Sequence, residues 1–361
     1  MLFIKFLQPV FIALTLLISS AVSEERRAKV GVITGLSGPH VTIGTAIRNG
    51  IELARHQRPD ILQRIDFQYE DDQGDPKLDI AAYRKLMDTK GVDILFGLGP
   101  VMVNVLWSYI ERDQIPFINF NFEASCAVGR PLVVRAMNHT EQYMLALSSY
   151  LKKHDIEDEY PVVVGEHTFL QAMSRSLATA LGSASPVREV ATVLPNETDF
   201  RPVILKMRKY KERPVGLFLF PDSLISFLKQ ARGVGFSASY FGTDLCESAA
   251  NLAESPALLE GCVYPDNAVT DTFRGQYREK YGNEAQLAFA GSAYDMTVLV
   301  GELFSSGHPR GSKIIEELNK VSNRRGVLGD FSFKHTEREG NFFEYPIHVK
   351  RIKAGRGEVI E

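Results

Sequence analysis

Residue types able to recognise a ligand gather where short apolar runs end: Ser37; Pro100, Val101 and Met102; Phe120, Phe122 and Glu123; Thr168 and Phe169; Phe220 and Asp222; and Asp244. The phenyl rings offer faces, Glu123, Asp222 and Asp244 offer negative charge, and no Arg or Lys lies in these loops to neutralise an anion. Rings and carboxylates in one concave site suit a small cationic or neutral molecule with an apolar or aromatic body. A cation held against a ring gains roughly 0.5–2 kcal/mol per contact, and a desolvated carboxylate adds more. Covalent chemistry is not indicated. The sequence has no G-x-S-x-G, no lysine after a glycine-rich phosphate loop and no histidines at metal-ligand spacing. The chain is therefore read as a binding protein rather than an enzyme, with no cofactor and no metal.

The loops need elements to hold them. Val30-Gly31-Val32-Ile33-Thr34 alternates too little for a half-wet strand and suits one buried on both faces of a parallel sheet. Gly35-Leu36-Ser37-Gly38-Pro39 then breaks the strand, and Ile43, Ala46, Ile47, Ile51 and Leu53 follow at helical spacing. The same strand, turn and helix recurs through Ile65–Glu70, Val92–Phe96, Pro116–Phe120 and Pro131–Arg135. After a charged break at 154–160 a second series begins with Val162-Val163-Val164-Gly165 and runs through Gly261-Cys262-Val263-Tyr264. This alternation predicts an α/β fold of two lobes, each an open, mostly parallel sheet with helices on both faces. Ligands of such sheets sit beyond the carboxyl ends of the strands, where the loops named above fall. The acidic turn Asp71-Asp72-Gln73-Gly74-Asp75 lacks the closing glutamate of a calcium loop and reads as a solvated turn, with Asp75 capping the next helix.

A formal charge of −3 over 361 residues, without a long basic run, argues against nucleic acid as a partner. Lys5 precedes an apolar run from Phe6 to Ile18, and Ala21-Val22-Ser23 supplies small residues before Glu24. Residues 1–23 are thus expected to be a cleaved export signal, leaving a soluble exported protein. Three cysteines, Cys126, Cys246 and Cys262, leave room for one bridge in an oxidising compartment; Cys246 with Cys262 is the favoured pair because the loop between them is short.

The order of elements and several segments resemble the periplasmic binding proteins of the branched-chain amino-acid type that feed ABC importers. The segments are Gly35–Pro39, Tyr69–Asp72 with Asp75-Pro76-Lys77, Ile115–Ile118, Leu228–Arg232, Gly242-Thr243-Asp244 and Ala290–Tyr294. The resemblance implies two lobes joined by three hinge crossovers, a small-molecule ligand in the cleft, and closure about the hinge. It divides the chain into a first lobe of residues 27–138 plus 267–326 and a second of 139–266 plus 327–361. It further implies a monomer in the periplasm that delivers its ligand to a permease. The alternative is a sensor of the same fold that signals rather than transports. In the family, hydroxyls after two strands of the first lobe hold a ligand carboxylate, an aromatic closes from the second lobe, and an acid receives the ammonium. Here Pro100, Val101, Met102, Phe120, Phe122 and Glu123 stand where those hydroxyls are expected, Phe169 and Phe220 supply the aromatics, and Asp244 matches the acid. An ordinary zwitterionic amino acid is therefore disfavoured, since its carboxylate would face Glu123 in a low-dielectric cleft.

Overall fold

A computed structural model describes residues 27–154, 159–183, 186–195, 197–210, 212–247 and 256–361. The expected export signal lies outside them. Strands β1 (Ala28–Thr34), β2 (Ile65–Asp71), β3 (Ile94–Leu98), β4 (Phe117–Phe120) and β5 (Val133–Arg135) alternate with helices in the first lobe. β6 (Tyr160–Gly165), β7 (Val187–Val193), β8 (Val215–Phe218), β9 (Tyr240–Gly242) and β10 (Val263–Asp266) do the same in the second. β11 (Arg324–Gly326), β12 (Gly329–Thr336), β13 (Gly340–Glu344), β14 (His348–Lys353) and β15 (Arg356–Val359) complete the two sheets.

One sheet runs β11-β12-β13-β5-β4-β3-β1-β2 and the other β15-β14-β10-β9-β8-β6-β7. The parallel strands β1–β5 and β6–β10 thus take the same doubly wound order in both lobes. β1 lies between β2 and β3, with Val32 opposite Tyr69 and Phe96, and its two faces are buried in different cores, Val32 in one and Ile33 in the other, which explains why its sequence does not alternate. Asp75 caps the helix Pro76–Arg84 as expected, its Oδ1 accepting from the Lys77 amide at 2.9 Å.

Each sheet is sandwiched between two apolar cores. In the first lobe the larger core lies under the helices Val41–Gln57 and Leu287–Gly307. These two cross at Gly50, where a Cβ would stand 2.0 Å from the carbonyl oxygen of Ala290, so only glycine permits the approach. Leu287–Gly307 is long and apolar enough to cross a membrane, but most of it is buried inside the lobe as a core helix.

The chain crosses between lobes three times, after β5, after β10 and after β13. The expected division at residue 327 is corrected by strand pairing. β13 pairs with β5, Asn341 opposite Val134, and β12 pairs with β13, so residues 329–344 complete the first sheet rather than the second. The apolar face of β12 and β13, with Phe331, Phe333 and Phe343, is buried in the first lobe's core. The third crossing falls between Glu344 and His348. Side-chain amides tie the three crossings together. Asn138 Nδ2 donates to the Tyr345 carbonyl at 3.0 Å, and Asn267 Nδ2 donates to that of Pro346 at 2.9 Å. Tyr143 OH donates to Asn267 Oδ1 at 2.6 Å.

Candidate functional site between the lobes

The carboxyl ends of the two sheets face one another across a cleft. Phe122, just beyond β4, meets Phe169, just beyond β6, with ring centroids 5.8 Å apart. Phe122 also packs edge-on against Tyr143 at 5.7 Å and Phe289 at 5.4 Å, so a single ring from the first lobe bridges to the second. Beside this aromatic cluster, Phe122, Tyr143, Met173, Asp244, Pro265 and Ala288 surround a narrow pocket. Asp244, Asp266 and Ala288 continue into a cavity of about 880 Å³ between the lobes. That volume lies within the range of ordinary small-molecule sites.

The walls of the larger cavity carry charge of both signs, and most of it is matched internally. Lys350, on β14 and 2 % exposed, donates to Glu247 Oε2 at 2.7 Å and to Asp266 Oδ2 at 2.8 Å. Tyr264 OH also donates to Glu247. Arg274 spans Glu247 at 3.5 Å and Glu284 at 2.6 Å, and Arg278 reaches Glu284 at 3.0 Å. Burial opposes the charge on Glu247, but Lys350 and its hydrogen bonds outweigh that and hold the carboxyl below its ordinary range.

Asp244 is the exception among the charges that are not exposed; Asp271 and Arg356, also without an ion pair among the described residues, are exposed. The Asp244 carboxylate has no ion pair and no side-chain hydrogen bond among the described residues, although it lines both pockets. Burial and the neighbouring Asp266 push its pKa up to about 7, and Lys350 offsets this only in part. Asp244 thus sits without a cationic partner beside Glu247 and Asp266, which share Lys350.

Of the remaining expected residues, two belong to the core. Phe120 is fully buried against Phe96, ring centroids 5.7 Å apart, because it shares a strand face with Ile118 under the helix Leu287–Gly307. Met102 is buried on the opposite side of the sheet with Phe117 and Leu106. Ser37 is exposed and spends its hydroxyl on Asp71 Oδ2 at 2.7 Å; this bond leads the contacts that hold the Asp71 carboxyl below its ordinary range. Pro100 is half-buried at the start of its helix and Val101 is exposed. Glu123 is exposed and accepts from Ser125 Oγ at 2.9 Å. Thr168 and Asp222 are exposed in the first turns of their helices, and Phe220 packs on His167 at 4.9 Å. None of these residues lines either pocket; Phe122 and Asp244 do. Sequence reasoning missed Glu247, Asp266, Lys350 and Arg274. They come from four separate elements that only the folded topology brings together.

The family model of periplasmic binding proteins matches residues 27–356. This chain belongs to that family. Solved structures agree on the fold. The leucine-binding protein LivK of Thermotoga maritima superposes with a TM-score of 0.76 at 17% identity, over 92% of this chain and 98% of that one. LivJ of Streptococcus pneumoniae, solved with isoleucine, gives 0.76 at 18% identity over 92% and 98%. A solute-binding protein of an ABC transporter from R. palustris, solved with benzoate, gives 0.74 at 17% over 92% and 95%. No curated protein matches the sequence. This periplasmic binding protein thus shares its two-lobe architecture with proteins solved with isoleucine and with benzoate.

Proposed function

We propose that this periplasmic binding protein captures a small molecule with a positive charge beside an apolar or aromatic body, and delivers it from the interlobe cleft to the permease of an ABC importer. The carrying observation is Asp244, an unpaired and partly buried carboxylate next to the rings of Phe122 and Tyr143, in a wall whose other buried carboxylates share Lys350. An ammonium there gains a charge-assisted hydrogen bond and a ring face at once. A carboxylate in the same place would add to the negative charge of Asp244 and Asp266. Export to the periplasm with loss of residues 1–23, action as a monomer and absence of catalysis belong to the same reading.

Calorimetry on the mature protein tests it. Aromatic and branched amines should bind, and Asp244→Asn should weaken them at least tenfold. Since protonation of Asp244 competes with the ligand, affinity should fall by up to about tenfold per unit as pH drops below about 7. Tight binding of isoleucine or benzoate, unaffected by Asp244→Asn, would refute the ligand class while leaving solute capture intact.

A further inference from the structure

We propose that Cys246 and Cys262 form a disulfide that straps the Asp244 turn to the strand beside it. Their sulfurs lie 2.9 Å apart, within about 1 Å of bonding distance, and both residues are buried in one core of the second lobe. Cys246 belongs to the turn Asp244–Glu247, whose two ends line the cavity, and Cys262 stands at the foot of β10, whose far end is Asp266. Backbone bonds hold each cysteine independently of the other. The Cys246 amide donates to the Thr243 carbonyl at 3.0 Å, the Cys262 amide to that of Leu259 at 2.9 Å, and the Ile352 amide to that of Cys262 at 2.9 Å. The sulfurs therefore face each other in a frame that is already fixed. Cys126 is no competitor: it is buried in the other lobe against Asn121.

Forming the bond removes one proton from each thiol and two electrons from the pair, and a small disulfide oxidant such as oxidised glutathione takes both and is released as two thiols. Attack requires a thiolate, and the hydrogen bond to Cys262 together with burial holds the Cys246 thiol well above its ordinary range. At 1 % and 2 % exposure, neither sulfur is open to an oxidant in the folded protein. The bond consequently forms while the chain folds, and burial then shields it from reductant. It is a permanent strap for the turn that carries Asp244 and Glu247, not a reversible switch.

The test is to refold the full chain in a glutathione redox buffer, block free thiols in denaturant, and measure intact mass and peptide linkage. One alkyl group per chain is expected, on Cys126, with the peptides of Cys246 and Cys262 joined. The link should survive dithiothreitol in the folded protein and break only when denaturant is added. A Cys246→Ser, Cys262→Ser double variant should unfold on the order of 5 °C lower. Should refolding fail, protein recovered from the exported fraction and blocked directly gives the same readout. Three alkyl groups per chain in oxidised material, or a link to Cys126, overturns the assignment.

Discussion

The two lobes repeat one strand order but treat the ends of their strands in opposite ways. In the first lobe, the polar groups beyond the strands are spent locally: Ser37 on Asp71, Ser125 on Glu123, with Met102 and Phe120 turned into the cores. At its strand ends it presents the ring of Phe122 to the cleft, while Arg274, Arg278 and Glu284, on and just after its helix Asp271–Tyr281, line the cavity. In the second lobe, the strand ends and the added β14 concentrate buried charge, with Lys350 between Glu247 and Asp266 and with Asp244 left over. Identical topology has thus been given unequal tasks. At the strand ends, one lobe contributes an aromatic ring and the other contributes buried carboxylates around Lys350. The first lobe keeps a fully buried cation of its own, Arg135 paired with Glu339 at 3.1 Å, but away from the cavity.

Removing the central cation should have the largest effect. Lys350→Met leaves buried Asp266 without a cation and Glu247 with only Arg274 at 3.5 Å, a change that costs about 3–5 kcal/mol in comparable sites, read as a lowered urea midpoint. If unfolding is unchanged, the second lobe is not held by its charges and the contrast fails. Next comes Phe122→Ala, which deletes three ring contacts from a half-buried position and should cost about 2 kcal/mol, with loss of amine affinity measured by calorimetry.

Asp244→Asn is smaller and has a definite pH signature. An acid whose folded pKa is raised to about 7 binds its proton more tightly in the folded state, so the wild type loses stability as pH rises from about 4 through 7. Without ligand, the variant should be more stable than wild type by roughly 1–2 kcal/mol at pH 8 and about equal to it at pH 5. A pH-independent difference would mean that Asp244 is not desolvated. Ser37→Ala should be the least disruptive, below about 1 kcal/mol in thermal unfolding, because it removes one exposed hydrogen bond far from the cavity.

These positions also show what could be read along the chain. The unalternating β1, the glycine-and-proline break after it and the cap at Asp75 are local signals, and each appears where the sequence places it. Phe120 and Phe122 were indistinguishable by type. The period of two puts Phe120 with Ile118 inside the core, while Phe122, past the last strand residue, escapes to the cleft. Lys350 and Asp266 are 84 residues apart on antiparallel neighbours, so nothing near either one reveals the pair. The third crossing was misplaced for a related reason. A strand's partner is not written in its own sequence, and β12 and β13 have the apolar face that either sheet would accept.

That crossing sets a timetable for the newborn chain. The first lobe begins with residue 28, yet the helix Leu287–Gly307 that covers Ile47, Ile51 and Ala54, and the strand that seals the edge at β5, are made only after β6–β10 of the second lobe. Until residue 344 emerges from the ribosome, the earliest-made sheet has an uncovered apolar face and an open edge, and it cannot settle into a stable domain. Export as proposed above would gain from that delay, since a polypeptide that has not finished folding is one that can still be threaded.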